Sequence, residues 1–321
     1  MKKTVFATIL VIILMFLLPI GKVSTARETT PVSAKVEESS ERIKDIEKIK
    51  VLMNDGSVIE TGLEEYIFGV VAAEMPALYE KEALKAQAVA AHSFALSRTA
   101  SNTSREYSIT SSTATDQGFI TEEEAREKWG EKADEYIEKI KGAVSETANY
   151  IVTYNGKVAT TVFHALSSGK TENGADIWGG NTPYLTSVSS EGDKLANNYI
   201  TENIFSKEEL KEKLSEEVTL TGEPAEYFGE AERTSVGTVK KITVCGKQLT
   251  GEKLRNLLNL RSANFTVTYK DEKFCFKVLG YGHGVGMSQN GANYMAKQGS
   301  DFKEILMHYY KGCKIETIKA D

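Results

Sequence analysis

The sequence predicts an α+β fold, in which helices and antiparallel hairpins form a substrate groove behind an N-terminal membrane anchor. Asp55-Gly56 and Asn155-Gly156 each separate a pair of short apolar runs, which is the pattern of a two-residue β-hairpin. Helical periodicity lies between and after these hairpins, without the strand–helix–strand rhythm that a parallel sheet requires. Mixed α+β is therefore the class that we expect.

The N-terminus predicts a membrane segment. In this chain of 321 residues, Lys2 and Lys3 precede an apolar run over 5–20, and this order favours export of the rest of the chain. We predict a signal-anchor over 1–26, a flexible tether over 27–45, and a folded domain of one or two lobes over 46–321. The chain would then be a single-pass protein of the cell membrane with its domain outside the cytoplasm. Cleavage after the small residues at 24–26 is the alternative.

Composition excludes several classes of function. The net charge is −6 and no basic run occurs beyond the extreme N-terminus, which argues against nucleic acid as a partner. Cys245, Cys275 and Cys313 are too far apart for a zinc ribbon or a redox pair, so one disulfide or unpaired thiols remain as alternatives. The four histidines lack the spacing of metal ligands. We predict no metal and no cofactor.

The N-terminal half of the domain begins with a hairpin of 50–53 and 57–60. The helix that carries Glu74 comes next and stops before Pro76. A second helix over Lys81–Arg98 has a stripe of small residues that lets other backbones approach closely, which predicts a central position.

The middle of the chain predicts a surface helix and a second hairpin. Thr121 and Glu124 form a capping box that opens a charged helix through about Gly142, which we expect to be solvated and without chemistry of its own. A hairpin of Tyr150–Tyr154 and Lys157–His164 comes next.

The C-terminal part begins with an acidic segment over 203–235. This segment is predicted to be helical or irregular, and its lack of a motif makes it the place where we expect partner contacts. The elements predicted after it are strands over Val239–Cys245, Phe265–Tyr269 and Phe274–Leu279, a short helix near Glu252–Asn259, and helices capped by Ser288 and Asp301.

Glu74 is an acid in an apolar setting. In helical spacing it shares one face with Ile67, Val70 and Val71, and that face should be buried. Desolvation raises the pKa of a carboxyl group, and a carboxylic acid that stays protonated near neutral pH can act as a general acid. A capping or partly exposed glutamate is the alternative.

Several polar residues beside strands or glycines are candidates for ligand contacts. His283 lies in the run Gly280-Tyr-Gly-His-Gly-Val-Gly, whose alternate glycines fit close backbone approach and not a nucleotide-binding loop. His164, Ser167 and Ser168 end a predicted strand. A histidine in a turn, a capping Ser288 and a His-activated serine nucleophile stay open as alternatives.

Four motifs in order resemble the stage II sporulation protein D family of peptidoglycan lytic transglycosylases. They are the segments Leu63–Pro76, Glu82–Ala91, Phe163–Asn173 and Gly282–Gln289, and the resemblance covers about residues 46–315. It implies cleavage between N-acetylmuramic acid and N-acetylglucosamine to leave a 1,6-anhydro end, during engulfment in sporulation. It also implies a membrane anchor, a companion amidase/endopeptidase and a third membrane protein as partners.

The resemblance places Glu74 at the position of the catalytic acid. The substrate-binding candidates that it implies beside this glutamate are His92, His164, Ser167, Ser168, His283, Ser288 and Gln289. Relatives often carry Arg where this chain has His92, which puts the role of that cation in doubt. Some relatives bind zinc through Cys and His, but this chain has no cysteine before position 245, so we expect no such site.

Two functions from different classes fit these residues. The first is an enzyme, a lytic transglycosylase that uses Glu74 as general acid and base. The second is a non-catalytic module that binds glycan strands and stimulates a cell-wall amidase, because enhancers of such amidases share the motif Gly282–Gln289.

Overall fold

The computed structural model describes residues 46–102 and 105–318, and within them the predicted α+β class is confirmed. The predicted anchor over 1–26 and tether over 27–45 lie outside the described residues. In the part that is described, no helix has the length and apolar character needed to cross a membrane. The helices are Leu63–Glu74 (α1), Lys81–Ser101 (α2), Glu122–Trp129 (α3), Ala133–Ser145 (α4), Gly174–Trp178 (α5), Lys207–Leu214 (α6), Gly251–Leu258 (α7), Gln289–Lys297 (α8) and Phe302–Tyr309 (α9).

The strands form several small sheets. They are Lys48–Leu52 (β1), Val58–Gly62 (β2), Ile109–Thr110 (β3), Tyr150–Tyr154 (β4), Lys157–Val158 (β5), Phe163–His164 (β6), Ile200–Ser206 (β7), Phe228–Arg233 (β8), Val239–Val244 (β9), Lys247–Thr250 (β10), Phe265–Lys270 (β11), Lys273–Leu279 (β12), Met287–Ser288 (β13) and Lys314–Thr317 (β14). The strand orders are β2-β1-β3, β10-β9-β8, β11-β12-β7, β14-β4-β5 and β13-β6. Most pairs are antiparallel, whereas β3 joins β1 and β13 joins β6 in parallel.

Both predicted hairpins are present, but the second is shorter than expected. Asn155 (φ 50°) and Gly156 (φ 73°) are left-handed, as a tight turn between paired strands requires. The expected strand over Lys157–His164 is wrong, because β5 ends at Val158. Phe163 and His164 instead pair with Met287 and Ser288 of β13, which brings His164 beside the glycine-rich run.

Helix α2 is central, as its small residues predict. It packs against α1, α4, α8, α9 and β4, and its alanines from Ala83 to Ala95 are buried in the larger hydrophobic core. A second core lies under β7, α6, α7 and the strands β8–β12, where Phe274 and Phe276 are fully enclosed. The candidate site lies between elements of these two cores.

Two segments differ from the predicted elements. The capping box of Thr121 and Glu124 is confirmed, but the helix it opens ends at Trp129, because Gly130 has φ +54° and a left-handed residue cannot continue a right-handed helix. A short 3₁₀ turn precedes α4. The acidic segment 203–235 contains the end of β7, α6 and β8, so strands occur where helical or irregular structure was expected.

Candidate active site

A cleft of about 480 Å³ opens beside the last residue of α1. Its walls bring together residues from distant parts of the chain: Ala73, Glu74, Phe94, Thr113, Asp116, Gln117, residues 162–165, Arg255, residues 281–283 and Gln289. Of the residues predicted for a site, Glu74, His164, His283 and Gln289 line this cleft. The remaining candidates lie elsewhere in the fold.

Glu74 combines burial with access to the cleft. It is the last residue of α1, and the helix before it is buried from Tyr66 to Ala72, so the Glu74 side chain is only partly accessible. This loss of water raises the pKa of Glu74 above its ordinary value. The Gly118 N–H, the Gln289 amide and the charge of Lys128 oppose the rise in that order, without cancelling it.

Gly118 hydrogen-bonds Glu74 through its backbone. Its N–H donates to Glu74 Oε1 over 2.5 Å. The segment that carries it lies tight against α1 at Gly69, where an added Cβ would stand 2.3 Å from the carbonyl oxygen of Ile120. Glycine at position 69 thus permits the approach that presents the Gly118 N–H to the carboxyl group.

Lys128 is a cation near Glu74 that the sequence did not indicate. It lies on α3, the helix predicted to have no chemistry. Its Nζ donates to the Ala72 carbonyl at the end of α1 over 2.9 Å, and its charge favours the ionised form of Glu74. The helix therefore contributes to the electrostatics of the cleft, which corrects that expectation.

Asp116 also lines the cleft, but its carboxylate is paired with a cation. Oδ1 accepts from Arg98 Nε over 2.7 Å, and Oδ2 accepts from the Thr110 N–H over 3.0 Å. Among the described residues that line the cleft, Glu74 is thus the carboxyl group without an ion-pair partner within salt-bridge distance. One acid is available for proton transfer.

His164 and His283 lie side by side, with ring centroids 5.7 Å apart. His164 Nδ1 donates to the Val285 carbonyl over 3.0 Å, and His283 Nδ1 accepts from the Val285 N–H over 3.1 Å. Burial lowers the pKa of His164, and burial with the neighbouring His164 and Arg255 lowers the pKa of His283 to about 3. Both rings are therefore neutral near pH 7, and they offer hydrogen-bonding atoms instead of charge.

Two of the serine candidates, Ser167 and Ser288, belong to a buried network around Asp193, which sequence reasoning missed. Ser167 Oγ donates to Asp193 Oδ2 over 2.5 Å, and Ser288 Oγ donates to Asp193 Oδ1 over 2.8 Å. Ser288 Oγ also accepts from the Gly291 N–H, so its predicted capping role is confirmed. Neither hydroxyl hydrogen-bonds a histidine ring among the described residues. Ser168 lines a neighbouring cavity together with Ser167.

His92 is not among the residues that line the cleft. It faces a small apolar cavity with Leu63, Ile67 and Val144 among its neighbours, and its Nδ1 donates to the Tyr150 carbonyl over 3.1 Å. Burial lowers the pKa of His92 to about 4, so the ring is neutral at pH 7. The structure thus places His92, as a neutral ring, outside the lining of the Glu74 cleft.

The described residues contain no group of three or more His, Cys, Asp or Glu side chains placed to hold a metal ion. Cys245, Cys275 and Cys313 are free thiols, so of the two alternatives the structure shows the unpaired one. The fold and the cleft of the described residues define an α+β protein with one carboxyl group outside any ion pair, among neutral histidines and amides.

Comparisons with known proteins give the family. A family model described as "Stage II sporulation protein" matches residues 54–154, which include Glu74. Stage II sporulation protein D of Bacillus amyloliquefaciens is 38% identical over 263 residues, covering 81% of this chain and 75% of the relative. The protein of the same name from Bacillus subtilis is 37% identical and covers 82% and 77%. The chain belongs to the stage II sporulation protein D family.

A more distant relative is the amidase enhancer of Bacillus subtilis. It is 25% identical over 309 residues, which cover 78% of this chain and 40% of the enhancer.

Proposed function

We propose that this protein cleaves the glycan strands of peptidoglycan as a lytic transglycosylase, in sporulation. The observation that carries the proposal is Glu74, a single carboxyl group with a raised pKa that lines a cleft and has no ion-pair partner there. The family assignment and the name of its two Bacillus relatives support the role in sporulation. Membrane attachment through the N-terminus, and partnership with an amidase/endopeptidase and a third membrane protein of engulfment, belong to the same proposal.

A single acid suffices for this reaction. Protonated Glu74 gives its proton to the oxygen of the glycosidic bond as that bond breaks. The resulting carboxylate then removes the proton from the 6-hydroxyl of the same muramic acid, whose oxygen attacks C1 and closes a 1,6-anhydro ring. Common glycosidases need a second carboxylate as base or nucleophile. Here Asp116, the other acid of the cleft, is held by Arg98 and a backbone N–H.

The neighbours of Glu74 have roles in this scheme. The Gly118 N–H orients the carboxyl group through Oε1 and stabilises the carboxylate that forms after the first proton transfer. His164, His283 and Gln289 line the same cleft and carry neutral donors and acceptors suited to sugar hydroxyl and acetamido groups.

The test is direct. The purified full-length chain would be incubated with peptide-free glycan strands, and the products would be analysed by mass spectrometry. We expect anhydro-muramyl ends from the wild type and from Glu135→Gln, an exposed glutamate that serves as a matched control, and none from Glu74→Gln. Absence of cleavage by the wild type under all conditions would reject the enzyme.

A binding module is the second candidate. The similarity to the amidase enhancer favours it, because that relative's name describes stimulation of another enzyme. This function predicts that the chain binds glycan strands and raises the rate of a cell-wall amidase, and that Glu74→Gln retains both properties.

A further inference from the structure

A second cavity of about 230 Å³ adjoins the Glu74 cleft. Arg255, Gly282 and His283 line both spaces, so a ligand that passes along the cleft reaches the second cavity beside these residues. The other walls come from the segment 166–178 and from strands of the second core. The proton transfers proposed for Glu74 make no use of this space.

Arg255 makes no salt bridge within 4 Å among the described residues, although Glu252, on the same helix and in the same cavity wall, favours its charged form. It lies on α7, and its Nε donates to the Leu260 carbonyl over 3.3 Å. Arg255 is half-buried, and this burial lowers the pKa of its guanidinium. A guanidinium in this state favours a planar anion that can accept two parallel N–H donors, and a carboxylate has that geometry.

Glu172 does not supply that anion. Its side chain is 2% exposed, Oε1 accepts from the Thr234 hydroxyl over 2.9 Å, and Oε2 has no partner among the described residues. Burial raises the pKa of Glu172, which favours the neutral acid. The wall of the second cavity therefore holds a buried carboxyl group that forms no salt bridge with Arg255.

Trp178 gives the cavity an exposed aromatic wall. Its side chain is 49% exposed, although its ring lies 4.9 Å from that of His283. A large aromatic ring left exposed in a groove commonly marks a ligand-binding surface, and its flat face fits the C–H face of a sugar ring.

We infer that the second cavity binds a carboxylate-bearing sugar, with Arg255 holding the carboxylate and Trp178 stacking on the ring. The inference rests on the proposed function for the identity of the sugar, which is then a muramyl residue of the glycan strand. Its carboxylate is either that of the lactyl group in a peptide-free strand or one carried by the attached peptide. Arg255 is then a specificity-determining residue.

Binding can be separated from cleavage by measuring it in the full chain with Glu74→Gln. The probes are chito-oligosaccharide, which has no carboxylate, peptide-free muramyl oligosaccharide, and the same oligosaccharide with its peptides. Adding Arg255→Gln should weaken binding of a carboxylate-bearing probe about tenfold or more and leave chito-oligosaccharide binding unchanged. Trp178→Ala should weaken the binding of all three probes. Arg126→Gln, on the exposed surface of α3, is the control and should weaken the binding of none.

The pattern among the probes decides the outcome. If Arg255→Gln weakens binding of the peptide-free probe, the lactyl carboxylate is the group that Arg255 holds. If it weakens binding of the peptide-bearing probe alone, Arg255 holds a carboxylate of the peptide. An equal loss of affinity for chito-oligosaccharide, or no loss of affinity for any probe, would overturn the role of Arg255. A wild-type chain that shows this binding pattern but no cleavage would reject the transglycosylase and keep the site.

Discussion

The backbone N–H of Gly118 lies 2.5 Å from Oε1 of Glu74, and it joins a loop to the end of a helix that is forty-four residues earlier in the chain. This hydrogen bond holds one carboxyl oxygen of Glu74 in place. It also favours the carboxylate, whereas burial favours the acid, and burial prevails. The balance gives a carboxyl group that can hold a proton and afterwards stabilise its loss.

Gly118→Ala should impair this group without unfolding the protein. The added Cβ would stand 2.9 Å from Glu74 Oε1, so the carboxyl group must move. Because a displacement near 1 Å can lower a rate about a hundredfold, we expect a loss of that order in the appearance of anhydro ends. Gly142→Ala is the control, since a Cβ there meets nothing within 4 Å and its helical position favours alanine. Unchanged activity in Gly118→Ala would argue against the positioning role.

Glu74→Gln should make the protein more stable at neutral pH. The pKa of Glu74 is higher in the folded state than its ordinary value of 4.5. As the pH rises above 4.5, the unfolded chain therefore loses the proton of this residue before the folded chain does, and the free energy of unfolding falls. Glutamine keeps an oxygen for the Gly118 N–H and has no proton to lose. Thermal unfolding at pH 7 should show a higher midpoint for the variant, with the difference shrinking towards pH 4.5. A lower midpoint at pH 7 would contradict the burial argument.

Lys128→Met should shift the pH profile of activity. Loss of the positive charge raises the pKa of Glu74 further, so the alkaline fall in rate should move to higher pH. Loss of the hydrogen bond to Ala72 should also lower the free energy of unfolding by about 1 kcal/mol. Lys128→Arg should restore the wild-type profile, and Lys132→Met, at an exposed position, should not change it. A profile unaffected by Lys128→Met would remove this residue from the site.

His92→Asn should reduce the acid sensitivity of the fold. The pKa of His92 falls from its ordinary 6.5 to about 4, so between these values the unfolded chain binds a proton that the folded chain does not. The free energy of unfolding therefore decreases as the pH falls through this window. Asparagine can still donate to the Tyr150 carbonyl but does not titrate. The variant should be less stable overall because of lost packing. Its free energy of unfolding should nevertheless fall less between pH 7 and pH 4 than that of the wild type. An equal fall in both proteins would contradict the low pKa of His92.

Local signals predicted the elements well where local chemistry decides them. The Asn155-Gly156 turn, the Thr121–Glu124 capping box and the Ser288 cap are each built from adjacent residues, and all are present. The small residues of α2 likewise predict a helix that others approach closely.

The errors arise from contacts between distant segments. The residues after Val158 were expected to continue a hairpin strand, but pairing with Met287 and Ser288 draws Phe163 and His164 away. Lys128 belongs to a helix whose charge pattern indicates only a solvated face, and nothing local shows that it reaches Ala72.

The site residues also divide into those that local sequence indicates and those that depend on contacts between distant segments. Glu74 stands out in the sequence because an acid in an apolar helix is locally unusual. Ser167 and Ser288 look alike as candidates for substrate contact, yet both donate to Asp193, which no motif singles out. His92 shares a helix with cleft residue Phe94, but faces a different cavity.

The central claim is that Glu74 closes an anhydro ring and does not activate water. Glycan strands digested in water labelled with heavy oxygen distinguish these reactions, because a hydrolase adds a labelled oxygen to each new end whereas ring closure adds none. For the wild-type chain we expect new ends that are unlabelled and lighter by one water than a hydrolysed end, and we expect no new ends from Glu74→Gln. Labelled ends, or unlabelled anhydro ends that persist in Glu74→Gln, would contradict the mechanism.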